Sequence, residues 1–267
     1  MTALSVTLPL SNILAREAVS GMISTRDNIS IAYDQYKNGS DSVVVICPGY
    51  YTSKANRWIK RTAELVSPVY DVIAFDFRGH GQSEGRFTWS AKESMDVDAI
   101  VDLAKAEGYK HIGIVAFSLG AASAINAAAG RTDIESMVLI SCPIRFRNVD
   151  FHFWEPEMFI ELKDDILNKW QGKGARTANI FMHKKDPIDT VRQIDHTAIL
   201  FIHGDRDWLI KDRHSKKLFD AANPPKEIET IRGGLHAERL VQFYPDKMKE
   251  LILNWFSKTL KKGPYEK

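Results

Sequence analysis

Short uninterrupted apolar runs alternate along this chain with stretches whose apolar residues recur every three or four positions. Residues 43–46, 72–75, 112–117, 136–140 and 198–202 are apolar with almost no polar alternate, the pattern of strands buried on both faces of a sheet. Between them the spacing predicts helices. One runs over about 54–66, with Trp58, Arg61 or Thr62, and Leu65 on one side, and Pro68 ends it. Ser90-Ala-Lys-Glu93 reads as a capping box opening a helix with Val97, Ile100, Val101 and Ala104 on one face, which Gly108 stops. Small residues at 119–129 predict a third helix ending at Gly130; further helices are expected over 211–222 and 246–260, the last with Met248, Leu251, Ile252 and Trp255 on one face. Residues 18–25 and 29–36 read as a hairpin turned by Arg26-Asp27-Asn28, and 227–231 as a last strand. Strands alternating with helices imply parallel pairing through right-handed crossovers. The rhythm breaks between Pro143 and Asp195, a segment rich in aromatic and charged residues without a clear strand.

The chain is organised around residues 112–123, Ile-Gly-Ile-Val-Ala-Phe-Ser-Leu-Gly-Ala-Ala-Ser. A buried strand turns into a helix at Ser118 with almost no residues for the turn. Such a turn strains the serine backbone and needs small neighbours two positions to either side, here Ala116 and Gly120. It lifts the hydroxyl clear of the sheet, with a helix N-terminus behind it. By itself the pentapeptide also fits a buried serine between a strand and a helix.

Ala116-Phe-Ser118-Leu-Gly120 resembles the nucleophile elbow of the alpha/beta-hydrolase family, with alanine in place of the first glycine. The resemblance implies an α/β fold with a mostly parallel central sheet, helices on both faces and a small cap. It also implies the order nucleophile, acid, histidine. His203-Gly-Asp205-Arg-Asp207 resembles the family's HGxxD loop, which makes Asp207 the acid and leaves Asp205 to hold the turn. Gly233-Gly-Leu-His236 resembles the loop before the final helix, which makes His236 the base. A serine needs such a base to take its proton, and a third group to fix the base's tautomer. The family's oxyanion donors map onto the backbone N–H groups of Leu119 and Tyr50, with Tyr51 the alternative to Tyr50. Asp76-x-Arg78-Gly79-x-Gly81-x-Ser83 matches a family loop that holds strand ends. The expected organisation is a leader over 1–17, a hydrolase core over 18–144 and 196–267, and a cap insertion over 145–195. Phe146, Phe151, Phe153, Trp154 and Phe159 crowd that insertion. With Tyr51 and Phe117, Phe153 and Trp154 are the expected wall of an apolar acyl pocket. The implied activity is metal-independent hydrolysis of a carboxylic ester or thioester through an acyl-enzyme, without a cofactor. A small peptidase or amidase on the same triad is a second reading, and a ligand-binding relative a third.

Composition narrows the partners. With 267 residues, 44% hydrophobic and 26% charged, and a net charge of +2, the chain suits one large α/β domain acting on a small molecule and argues for no nucleic acid. Lys258, Lys261, Lys262 and Lys267 read as a solvated helix end. No apolar run approaches the ~18 residues of a membrane span. The first residues, broken by Ser5, Thr7, Pro9, Ser11 and Asn12, make a poor signal peptide. If the family strand order holds, Cys47 and Cys142 sit two strands apart, about 9–10 Å, which is too far for a disulfide. Two free thiols point to the cytoplasm. His203 and Asp205 are spaced H-x-D, but no second ligand pair or HExxH supports a metal site.

Overall fold

The computed structural model of the protein describes residues 18–148 and 154–260, so the expected leader, Phe151 and Phe153 lie outside the described residues. The elements run β1 (Val19–Ser24), β2 (Ser30–Tyr36), β3 (Ser42–Cys47), α1 (Arg57–Val66), β4 (Asp71–Phe75), α2 (Ser94–Ala106), β5 (His111–Phe117), α3 (Leu119–Ala128) and β6 (Ser136–Ile140). Then follow α4 (Pro156–Leu167), α5 (Pro187–Thr190), β7 (Ala198–Gly204), α6 (Arg213–Ala221), β8 (Lys226–Ile231), α7 (Arg239–Phe243) and α8 (Pro245–Thr259). Among the described residues eight strands form one sheet in the order β1-β2-β4-β3-β5-β6-β7-β8. The hairpin β1–β2 adds antiparallel to β4, and the other pairs are parallel.

Alternate residues of each buried strand feed opposite faces. Val43, Val45 and Cys47 of β3 pack with Val97 and Ile100 of α2, Ala121 and Ile125 of α3, and Leu218 of α6. Val44 and Ile46 pack on the other side with Ile59 of α1, Leu240 of α7, and Ile252 and Trp255 of α8. This is the alpha/beta-hydrolase fold. Cys47 and Cys142 are free and buried on β3 and just past β6, the strands flanking β5, and burial pushes both thiols up.

Three helix expectations change. α1 starts at Arg57 because the Asn56 side chain accepts from the Trp58 N–H at 2.9 Å; its inward residues are Ile59, Thr62, Ala63, Leu65 and Val66, without Trp58 or Arg61. Lys54 lies before the helix, where its Nζ reaches Asp34 at 2.8 Å. The Ser90–Glu93 box does not form. Glu93 instead accepts from the Thr88 N–H and hydroxyl at 2.6 and 2.9 Å, and α2 begins at Ser94. The irregular segment after β6 contains α4, which is not among the expected helices.

Candidate active site

Ser118 ends β5 and opens α3 within one residue. Its φ of 50° and ψ of −122° lie where L residues seldom go, a strain of order 1–3 kcal/mol that packing must hold. The packing is direct. A Cβ on Gly120 would stand 2.1 Å from the Pro48 carbonyl oxygen and 2.7 Å from that of Cys47, so the first turn of α3 rests on the end of β3. Ala116 is tolerated where the family has glycine because its methyl joins the buried core toward α2 and α3.

The loops after β7 and β8 bring up the other two groups. They touch through glycine, since a Cβ on Gly204 would meet the Gly234 carbonyl oxygen at 2.2 Å. Asp205 ties them by accepting from the Gly233 N–H at 2.6 Å. Asp207, fully buried, faces inward: its Oδ2 lies 2.7 Å from His236 Nδ1, and His236 Nε2 lies 3.0 Å from Ser118 Oγ. With Nδ1–H donating to the carboxylate, Nε2 presents a lone pair to the serine hydroxyl. Asp207 Oδ1 accepts from the N–H groups of Leu209 and Ile210 at 3.0 and 2.8 Å. Behind it, His203 reaches Ser215 Oγ with its Nδ1 at 2.6 Å and the Ile210 carbonyl with its Nε2 at 2.7 Å, and the same Nε2 lies 3.3 Å from Asp207 Oδ2.

Electrostatics polarise the pair. Burial opposes ionisation of Asp207, yet the adjoining His236 charge and the hydrogen bonds from His203 and His236 hold its carboxyl well below the usual range. Burial likewise opposes a charged His236, and the Asp207, Glu161 and Glu238 carboxylates outweigh it, raising the imidazole above its ordinary value. Ser118 and His236 are themselves buried.

The loop after β3 runs beside the serine, with a Cβ on Gly49 falling 3.3 Å from Ser118 Cβ. The Tyr51 N–H donates to His80 Nε2 at 3.0 Å. His80 is suited to accept, since burial pushes it down to about 4 and its Nδ1 faces the Arg78 carbonyl at 3.2 Å. Tyr51 is therefore engaged elsewhere. Among the described residues the N–H groups of Tyr50 and Leu119 have no acceptor. The rings of Tyr50, Phe87, Trp89 and Phe146 form a continuous aromatic wall, with Tyr50–Trp89 centroids 4.7 Å apart and Trp89–Phe146 5.2 Å.

The expected pocket residues do not all join it. Phe117 is fully buried in the core shared with α1, α7 and α8, because strand alternation turns the residue before the serine into that core. Trp154 is 75% exposed just ahead of α4. Phe153 lies outside the described residues. Segment 172–178, past α4, is stitched to the loops beside the serine: Gly174 N–H to the Tyr51 carbonyl at 2.9 Å, Phe87 N–H to that of Arg176 at 2.8 Å, and Arg176 N–H to that of Gly79 at 2.7 Å. Asp76 and Ser83 anchor the same region, as the DxRGxGxS match implies, through Lys54 N–H to Asp76 Oδ1 at 2.7 Å and Ala32 N–H to Ser83 Oγ at 2.8 Å.

Sequence reasoning missed Glu161 of α4, whose Oε1 accepts from the His236 N–H at 3.3 Å and which burial pushes up to about 7. It also missed Ser141, whose hydroxyl accepts from the Ala237 N–H at 3.0 Å. No local signal marks either; Ser141 could have been sought as the residue ending the strand next to the elbow.

The comparisons bear on the fold and the family. An esterase of Pyrococcus furiosus superposes with a TM-score of 0.76 at 24% identity, over 96% of this chain and 98% of that one. An esterase from Rhodococcus sp. ECU1013 gives 0.72 at 17%, over 89% and 98%. An uncharacterized protein of Bacillus subtilis (strain 168), YqkD, is 24% identical over 77% of this chain and 68% of its own. The family described as serine aminopeptidase, S33, matches residues 38–193. That match covers more than half of the chain and includes both the elbow and the loop that backs it, so the protein belongs to this alpha/beta-hydrolase family.

Proposed function

We propose that the protein is a serine hydrolase that cleaves carboxylic esters through an acyl-enzyme on Ser118. The observation that carries this is His236 bridging Asp207 and Ser118 at 2.7 and 3.0 Å. In the proposed mechanism Ser118 Oγ attacks the carbonyl carbon while its proton passes to His236 Nε2. Asp207 stabilises the imidazolium, and the Leu119 and Tyr50 N–H groups receive the oxyanion. His236 then protonates the leaving alkoxide, and water, deprotonated by the same nitrogen, releases the acid. Residues 145–195 act as the cap, and the Tyr50–Phe87–Trp89–Phe146 wall holds the acyl group. The esterase names of the structural relatives favour an oxygen ester. The family description favours a second reading, hydrolysis of an aminoacyl amide. Buried free thiols suit a cytoplasmic setting.

The test is a fluorophosphonate probe with peptide mapping, and a panel of nitrophenyl acyl esters, acyl thioesters and aminoacyl anilides. Ser118 should carry the adduct, Ser118→Ala should lose both adduct and turnover, and the esters should turn over fastest with a pre-steady-state burst where deacylation is slow. An adduct on another serine with Ser118 free would overturn the assignment. Faster turnover of anilides would select the peptidase reading.

A further inference from the structure

Helix α4 carries its amphipathy reversed. Its acids turn toward the protein, and each is partnered. Glu157 lies 3.8 Å from Arg206 and Glu161 4.0 Å from Arg239. Asp164 pairs with Arg57 and with Arg239, and Asp165 lies 2.6 Å from Arg239. Arg239 itself is 2% exposed. The apolar residues turn out: Phe159, Ile160, Ile166 and Leu167 are 57, 49, 56 and 71% exposed, and no residue of α4 is buried. At 3.6 residues per turn these side chains share one arc, with the exposed Lys163 at its middle. Water alone favours the opposite orientation, since burying a large aliphatic or aromatic side chain is favourable and desolvating a carboxylate is costly. An arc of this kind on a monomer's surface marks a contact with something apolar.

We propose that the outer face of α4 docks on an anionic lipid surface. Lys163 decides between occupants. In a two-fold contact centred on α4 each Lys163 would face its own copy, two like charges losing water together, while every α4 acid points the other way. At a bilayer surface the same side chain lays its stem along the apolar arc and lifts its ammonium to the lipid phosphates. The inward acids leave no anion on the arc to repel those phosphates, and Lys169, just past the helix, adds a second exposed cation. Trp170, also exposed, follows at the same end, a residue type that settles at headgroup depth. Docking there would set the cap against the membrane, because the inner side of α4 reaches the His236 backbone through Glu161. The inference concerns binding and holds whether or not Ser118 is the nucleophile.

The test is sedimentation of the full chain with vesicles of phosphatidylcholine alone and of phosphatidylcholine mixed with phosphatidylglycerol, with thermal unfolding of each variant to show that it is folded. The wild type should sediment with the mixed vesicles, less with phosphatidylcholine alone, and less as salt rises. Ile166→Glu with Leu167→Glu should cut partitioning about tenfold or more, and Lys163→Glu should weaken only the anionic-lipid component. Val19→Glu, on the exposed edge strand β1, should change nothing. A wild type that stays in the supernatant, or folded Ile166→Glu with Leu167→Glu that binds normally, would overturn the proposal. So would a concentration-dependent dimer abolished by that pair without vesicle binding.

Discussion

In Asp207→Asn the new amide has one satisfactory orientation. The Leu209 and Ile210 N–H groups both donate to Oδ1, at 3.0 and 2.8 Å, so the amide oxygen must occupy that place. The NH2 group is then turned onto His236 Nδ1, which lay 2.7 Å from a carboxylate oxygen. A donor now stands where an acceptor stood. The imidazole answers by moving its proton to Nε2, which then donates across the 3.0 Å to Ser118 Oγ and has no lone pair left to accept the serine proton. In the proposed mechanism the serine has then lost its base, and the imidazolium has lost its counter-charge. Together these should lower kcat by about 10⁴, or about 5.4 kcal/mol at 1.36 kcal/mol per tenfold. KM should stay within a few-fold, because Asp207 is fully buried behind His236 and forms no wall of the site. The substitution is nearly isosteric and keeps both backbone hydrogen bonds, so thermal unfolding should change little. The assay is steady-state hydrolysis of a nitrophenyl ester, beside the rate of fluorophosphonate addition to Ser118. A folded Asp207→Asn that loses less than tenfold would refute the reasoning. So would an Asp205→Asn that loses more, since Asp205 holds only the Gly233 turn.

The pH profile follows from the charges around His236. Burial opposes its protonation, but Asp207, Glu161 and Glu238 raise it on balance; in the proposed mechanism the neutral ring is the base, so kcat/KM should climb with pH through an apparent value above the ordinary ~6.5. Glu161→Gln removes one of those anions and should move that limb to lower pH, and a wild-type limb at or below 6.5 would contradict the assignment. Gly120→Ala places a methyl against the Pro48 and Cys47 carbonyls and should cost about 1–3 kcal/mol or more in urea unfolding, with kcat falling as the Leu119 N–H shifts; an unchanged midpoint would mean that the elbow is looser than its contacts indicate. Arg239→Gln strips the common partner from Glu161, Asp164 and Asp165, a loss of about 3–5 kcal/mol for a buried pair; α4 amides should exchange faster before any global change, and unaltered exchange would contradict the clamp.

What could be read from the sequence, and what could not, divides along one physical line. β3 through β7 were legible because a strand covered on both faces must be apolar at every position, whatever packs against it. The elbow was legible because a one-residue strand-to-helix turn excludes large neighbours, and Gly120 reports that exclusion directly. The loops that carry Asp207 and His236 were legible because each follows a strand. In each case a local constraint writes a local signature. The Ser90–Glu93 box failed because Thr88, two residues earlier, offers Glu93 both an N–H and a hydroxyl, a competition that spacing alone does not rank. Phe117 was misassigned to the pocket although the same alternation that buries Val115 also buries it. α4 is the instructive failure. The period is present in α4, but it would assign Phe159, Ile160, Ile166 and Leu167 to the core, whereas those residues are exposed and the side facing the protein is acidic. Its partners, Arg57, Arg206 and Arg239, are scattered on both sides of it in sequence, and only the folded chain gathers them. An inward acidic face is stable here because each carboxylate meets a guanidinium, which converts a desolvation penalty into a set of specific contacts. A helix attached in this way has its apolar residues left over for the outside. The inward acids that a reading of the period would place in water are thus what leaves the apolar arc of α4 outside, where we propose that it docks.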